Sequence, residues 1–197
     1  RETIPVDQVF GVPDEDRRVG ASGQEYLPLV SRVERKLDLK GGAYSITGAD
    51  AARDFYDNDA KQISSDTEEL FWNYAEGVVL INAARTQSIV GFVKGKKFQL
   101  ANVLFEPRSE FAALSVSALD GGSIADSKHL LLTAAGKMRN TGQFYSEAKT
   151  QLKEIGKGPV LLEGISSKVT LYFNKPGAEI EVWKLDSSGK RLGEIKA

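Results

Sequence analysis

Hydrophobic and polar residues alternate over much of the chain after residue 60. In the segment 70–74, Leu70, Trp72 and Tyr74 fall on one side, and the segment 111–119 alternates in the same way. A period of two is typical of a β-strand with one buried face. Both segments are therefore predicted to be strands.

Further segments show the same strand pattern, separated by short turns. They are residues 78–81, 87–93, 98–105, 128–135, 168–173, 179–185 and 191–195. The three leucines 130–132 predict the most buried of these strands, and Gly91 marks a bulge or a close approach of two backbones. About eight to ten short strands at close intervals are typical of an antiparallel sandwich or barrel.

Helical signals are few. Ala148, Leu152 and Ile155 lie at helical spacing before Gly156 and predict a helix over residues 146–155. Residues 49–56 fit two helical turns, and residues 29–39 fit either a helix or a strand. We therefore predict a mainly β fold, an antiparallel β-sandwich (jelly-roll-like or Ig-like) with short helical segments. Residues 1–60 form an irregular N-terminal segment or linker that packs on a sandwich module of residues 61–197.

Composition narrows the possible functions. The 197 residues carry 26 Lys and Arg against 27 Asp and Glu, so no overall field steers the chain to nucleic acid. No stretch is long and apolar enough to predict a membrane-spanning helix. The absence of cysteine excludes disulfides, thiolate nucleophiles and Cys-based metal sites. The chain starts at Arg1 without Met, which is typical of a processed or excised segment.

Catalytic and metal signals in the sequence are weak. His129, the one histidine, opens an apolar strand and has no nucleophile elbow near it. Spacing alone pairs none of the many carboxylates as a glycosidase would require. Asp57 and Asp59, with Asn58 between them, offer oxygen ligands of the kind that calcium accepts, but an Asx-rich turn is the favoured interpretation. We expect no catalytic residue and no cofactor in this chain, with calcium as the alternative.

Aromatic residues give the alternative of glycan binding. Trp72 and Tyr74 share one strand face, Trp183 shares a face with Glu179 and Glu181, and Tyr145 lies in a loop. Exposed aromatic rings can stack on the C–H faces of sugars. The competing interpretation places the tryptophans in a core or beneath a neighbouring domain.

Two blocks of sequence carry a family resemblance. Residues 64–93 read SSDTEELFWNYAEGVVLINAARTQSIVGFV, and residues 115–142 read SVSALDGGSIADSKHLLLTAAGKMRNTG. They resemble the C-terminal β-sandwich region of large multidomain bacterial glycoside-hydrolase-like proteins, whose N-terminal part is a (β/α)₈ barrel. The resemblance extends over about residues 63–185. The chain departs from that pattern at Glu68, where glycine is usual, and at Ala84, where proline is usual.

The resemblance implies an accessory role. It implies a non-catalytic module of an exported polysaccharide-processing enzyme, secreted, cell-surface or periplasmic, that braces the catalytic (β/α)₈ domain of the same parent protein or its cleft. Arg85, Thr86 and Gln87 would brace a loop or the interface. Two alternatives stay open: a carbohydrate-binding module that uses Trp72, Tyr74, Trp183 and Tyr145 on a polysaccharide or oligosaccharide, and a stand-alone glycan hydrolase or lyase.

Overall fold

The chain folds mainly into antiparallel β-sheets, as its alternating pattern predicts. The computed structural model describes residues 3–5, 27–34, 55–57, 59–147, 151–175 and 179–195. One pair of strands, β1 (Thr3–Pro5) and β2 (Arg32–Glu34), runs parallel. The short helix α1 (Leu27–Val30) precedes β2.

A seven-stranded antiparallel sheet forms the larger layer, in the order β11-β10-β7-β6-β5-β4-β3. Its strands are β3 (Tyr56–Asp57), β4 (Gln62–Ser64), β5 (Leu70–Asn73), β6 (Val78–Asn82), β7 (Thr86–Phe92), β10 (Phe111–Ala118) and β11 (Leu130–Ala135). Neighbouring strands from β3 to β7 are joined by short turns along the chain, which is why they pair in sequence order.

A three-stranded antiparallel sheet forms the second layer, in the order β16-β9-β8. Its strands are β8 (Phe98–Gln99), β9 (Val103–Pro107) and β16 (Ser167–Leu171). Ile89 and Leu114 of the larger sheet and Val103 and Phe105 of the smaller sheet belong to one buried cluster. The two sheets therefore pack as a sandwich around this core.

Three further two-stranded sheets complete the described chain. They are β12 (Met138–Thr141) with β15 (Lys157–Leu162), β13 (Phe144–Tyr145) with β14 (Leu152–Glu154), and β17 (Val182–Leu185) with β18 (Arg191–Ile195). β12 to β15 follow one another along the chain and pair from the outside inwards. We call the described residues of this segment, 138–147 and 151–162, the ribbon.

Strand alternation gives the seven-stranded sheet two faces. In β10, Ala112, Leu114, Val116 and Ala118 are buried against the smaller sheet, while the intervening residues are half-buried on the opposite side. Directly paired residues of an antiparallel sheet share a face. The register therefore assigns a set of apolar side chains to the side away from the core, and we call this set the outer face: Ile63, Leu70, Trp72, Val79, Ile81, Val90, Phe92 and Phe111. Ser88 and Ser115 lie on the same side, and Ile63 and Ser88 are buried there.

Four local predictions are wrong. Tyr145, predicted to lie in a loop, belongs to strand β13. The predicted strand 98–105 is interrupted at residues 100–102, where the chain turns from β8 into β9. The predicted helix 146–155 is contradicted by β14, because this segment pairs with β13 instead of forming helical bonds. The leucines 130–132 are not deeply buried, since β11 is the edge strand of its sheet and Leu132 is 52% exposed.

The N-terminal predictions are only partly covered by the structure. Of residues 29–39, the described part contains the end of α1 and then β2, so a helix and a strand follow one another. Of residues 49–56, only 55 and 56 are described, and Tyr56 begins β3. Val30 is buried, and its carbonyl accepts a hydrogen bond from the Asp66 N–H at 2.8 Å, which holds α1 against the larger sheet.

Candidate functional site

The Arg85-Thr86-Gln87 segment lies where the two layers of the sandwich meet. Gln87 is fully buried, and its Oε1 accepts a hydrogen bond from the Asn102 N–H at 2.8 Å. Thr86 Oγ1 lies 3.2 Å from Ser117 Oγ on the neighbouring strand. The Arg85 carbonyl accepts a hydrogen bond from the Ala118 N–H at 2.8 Å, while its side chain is exposed. These contacts hold β7, β10 and the β8–β9 turn together.

A loop of residues 119–129 packs on the same end of the sandwich. Ile124 inserts fully into the core, and its N–H donates to the Ala84 carbonyl at 2.8 Å. Asp120 closes this loop: its carboxylate accepts hydrogen bonds from the Lys128 N–H at 2.7 Å and from Ser127 Oγ at 2.9 Å. These donors, the Lys128 N–H first, lower the pKa of Asp120 to about 2. The carboxylate is thus a structural acceptor that stays ionised.

Trp72 and Tyr74 come together on the larger sheet. Their ring centroids lie 5.5 Å apart at an interplanar angle of 57°. Both rings are half-buried, and Trp72 belongs to the outer face. Because the two rings are tilted and pack against each other, they offer less exposed ring surface for stacking on a sugar than a flat pair of rings would.

Trp183 lies on a different sheet, in the β17–β18 hairpin. The Arg191 guanidinium sits over its ring at 4.9 Å from the centroid, and Nε1 donates to Glu181 Oε2 at 3.3 Å. Glu194 is its direct cross-strand partner. An indole flanked by two carboxylates and a guanidinium has the polar groups that hold sugar hydroxyls, although Arg191 already occupies one side of the ring.

Tyr145 lies in the ribbon and is 44% exposed. Its hydroxyl accepts a hydrogen bond from Gln143 Nε2 at 2.9 Å. Trp72, Trp183 and Tyr145 thus lie on three separate sheets. Of the four aromatic residues singled out in the sequence, only Trp72 and Tyr74, just beyond the end of β5, lie side by side.

The Asp57–Asp59 turn behaves as an Asx turn. Asp57 Oδ1 accepts a hydrogen bond from the Ala60 N–H at 2.8 Å, and both aspartates are exposed. Residue 58 lies outside the described residues. Among the residues that the structure describes, no cluster of three or more His, Cys, Asp or Glu side chains could hold a metal ion.

The outer face is apolar but incompletely covered. α1 borders it at one end, where Leu29 and Val30 line a pocket together with Leu70 and Ile81. At the other end, Phe92 is 52% exposed. Phe92 packs edge-on against Phe111 at 5.6 Å, and the Lys137 ammonium lies 5.6 Å from its ring centroid.

The ribbon exposes apolar side chains to a greater extent. Leu162 is 76% exposed, Met138 73%, Ile155 69% and Phe144 60%. Soluble proteins rarely leave so many large apolar side chains in water without a partner. Sequence reasoning missed the ribbon, because residues 157–162 lack polar alternation and contain Pro159.

Comparison with known proteins gives no indication of function. No family model, no curated protein and no solved structure matches this chain. Within the described part of the chain, no helix has the length and apolar character required to cross a membrane.

Proposed function

We propose that this chain is a non-catalytic accessory β-sandwich module of an exported polysaccharide-processing glycoside hydrolase. The module braces the catalytic (β/α)₈ domain of the same parent protein, and the parent works in a secreted, cell-surface or periplasmic location. The observation that carries the proposal is the outer face, where the apolar side chains of Trp72, Val79, Val90 and Phe111 are half-buried and Phe92 is 52% exposed. The family resemblance of residues 64–93 and 115–142 supplies the identity of the partner.

The outer face suits a domain interface on physical grounds. The larger sheet carries apolar residues on both sides, which is typical of a sheet covered on both faces. The smaller sheet covers one side, and among the described residues α1 borders the Leu70–Ile81 end of the other. Interfaces between domains of one chain typically bury about 600–1,500 Å², and the outer face offers apolar side chains for part of such an area.

The experiment measures binding of this chain to the (β/α)₈ domain encoded with it, each produced separately. Val90→Lys places a charge on the outer face and should raise the Kd tenfold or more, which corresponds to a loss of about 1.4 kcal/mol or more of binding free energy. Lys168→Ala, on the exposed side of the smaller sheet, is the matched control and should bind like the unaltered chain. Binding that Val90→Lys leaves unchanged would contradict the proposal, as would a parent gene that encodes no such domain.

A second candidate function is carbohydrate binding through Trp183. The observation that favours it is the flanking of the indole by Glu181 and Arg191, with Glu194 directly across the hairpin. Oligosaccharide titrations followed by tryptophan fluorescence test it. A shift that Trp183→Ala abolishes and Trp72→Ala retains would support it, and no shift with any glycan would exclude it.

A further inference from the structure

We propose that the free edge of β15 in the ribbon pairs with β15 of a second copy of this chain, antiparallel and about a twofold axis at Leu161. The proposal is independent of the outer face and of the function proposed for it. It follows from the hydrogen-bonding pattern of the ribbon, from the side chains along β15 and from the charges that the pairing would bring together.

The direction of the backbone groups in β15 follows from one hydrogen bond. The Glu163 N–H donates to the Lys137 carbonyl at 2.9 Å, just beyond the paired residues Met138 and Leu162. In an antiparallel pair, opposite residues alternate between exchanging hydrogen bonds and pointing their backbone groups away from each other. Val160 and Leu162 therefore direct their N–H and C=O groups outward.

The other edge of the ribbon, on β12, is occupied at Asn140. The outward N–H of Asn140 in β12 donates to Gln143 Oε1 at 2.9 Å, and its carbonyl accepts the Gln143 N–H at 3.1 Å. This local pairing makes the β12 edge less available for pairing with another strand at Asn140, whereas the β15 edge presents the outward backbone groups of Val160 and Leu162. An unprotected strand edge is a template for pairing with another chain.

The β15 edge is self-complementary. With Leu161 on the twofold axis, Val160 lies opposite Leu162 of the second copy, and both residues have outward N–H and C=O groups that can exchange hydrogen bonds. Their side chains are 55% and 76% exposed, so pairing removes apolar surface from water. Glu163 then faces Pro159 of the second copy, and no like charges are opposed over residues 159–163.

The pairing would also stabilise the ribbon itself. A two-stranded ribbon is marginal in water unless further strands or a packed layer support it. Pairing through β15 makes a four-stranded sheet in the order β12-β15-β15-β12. Because one short strand from each copy forms the contact, its area belongs to the small class, below about 1,200 Å² in total, and we expect a weak dimer.

A single cysteine tests the pairing directly, because the chain has none of its own. Opposed residues that do not exchange hydrogen bonds have Cα atoms about 4.5 Å apart, within the range of a disulfide. Leu161→Cys should therefore form a covalent dimer under mild oxidation. Met138→Cys, at a more exposed position on β12, should stay monomeric. Equal dimer formation by both variants, or none by Leu161→Cys, would overturn the proposal.

A second measurement does not depend on the cysteine variants. In sedimentation experiments on the full chain, Leu162→Lys should weaken self-association at least about tenfold, because a charge on a strand edge opposes pairing. Met138→Lys should leave it unchanged. If the chain stays monomeric while Leu162→Lys weakens binding to the (β/α)₈ domain, the ribbon docks on that domain and the second copy is excluded. The proposed function would survive that result, since Val90→Lys tests it.

Discussion

The buried side chain of Gln87 accepts a hydrogen bond from the backbone N–H of Asn102 at 2.8 Å and so joins the two layers of the sandwich. Asn102 continues the connection on the smaller sheet, where its carbonyl accepts the Tyr172 N–H at 2.9 Å. A buried donor that loses its acceptor costs free energy, since water cannot replace the bond. This contact makes Gln87 a structural residue of the sandwich.

Gln87→Met should lower the free energy of unfolding by about 1–3 kcal/mol, because the Asn102 N–H loses its acceptor while the volume of the side chain is kept. Urea denaturation measures the change. Gln151→Met, at an exposed position of the ribbon, is the control and should stay within about 0.5 kcal/mol of the unaltered chain. Equal stability of the two variants would mean that the hydrogen bond contributes nothing.

Glu68 adopts a left-handed backbone conformation, with φ at 57°, in the turn between β4 and β5. The family resemblance described above has glycine at this position. Glu68→Gly should raise the free energy of unfolding by about 0.5–1 kcal/mol, because glycine adopts positive φ without steric cost. Glu69→Gly, next in the chain and not left-handed, should destabilise instead. A loss of stability in Glu68→Gly would contradict this interpretation.

Gly91 brings β7 against the turn before β6. Its φ is 137°, and a Cβ built on it would clash with the Gly77 carbonyl oxygen. Gly91→Ala should therefore cost about 3 kcal/mol or more, since the clash is with backbone. Gly95→Ala, with φ at 72° and open space around it, should cost only about 1 kcal/mol. Thermal or urea unfolding distinguishes the two.

Sequence reasoning captured the alternating strands and failed where the pattern was ambiguous. The period of two at Leu114 and Val116 agrees with their burial in the structure. Gly91 lies where the backbone of β7 closely approaches the backbone of Gly77. The turn at residues 100–102 was missed because the apolar residues on both sides of it suggested one continuous strand. The helical spacing of residues 146–155 was overridden by pairing of β14 with β13, which a local pattern does not contain.

The candidate surfaces were less accessible to sequence reasoning. Trp72 and Tyr74 lie side by side, although β5 ends at Asn73, one residue before Tyr74. Pairing between strands far apart in the sequence decides which side of the larger sheet the smaller sheet covers. The outer face therefore could not be identified from the sequence. The ribbon was missed because Pro159 and the apolar run around it gave no strand period.

Asp120 makes the loop of residues 119–129 sensitive to acid. Its pKa is lowered from 3.8 to about 2 in the folded chain, so its contribution to stability is present above pH 3.8. That contribution is lost as the pH falls from about 4 to about 2. Asp120→Asn should therefore be less stable than the unaltered chain at neutral pH, and the difference should shrink through this window.

Stability measured against pH by urea denaturation checks this expectation. Ser127→Ala removes one donor to the same carboxylate and should reproduce part of the effect. A stability difference between the unaltered chain and Asp120→Asn that stays constant between pH 7 and pH 2 would contradict the assigned role.

The most direct test of the account is hydroxyl-radical footprinting of the parent protein against this isolated chain. If the outer face braces the catalytic domain, Phe92 and Trp72 should be labelled several-fold less in the parent, while Trp183, on the separate β17–β18 hairpin, is labelled equally in both. Equal labelling of Phe92 in the two proteins would contradict the account.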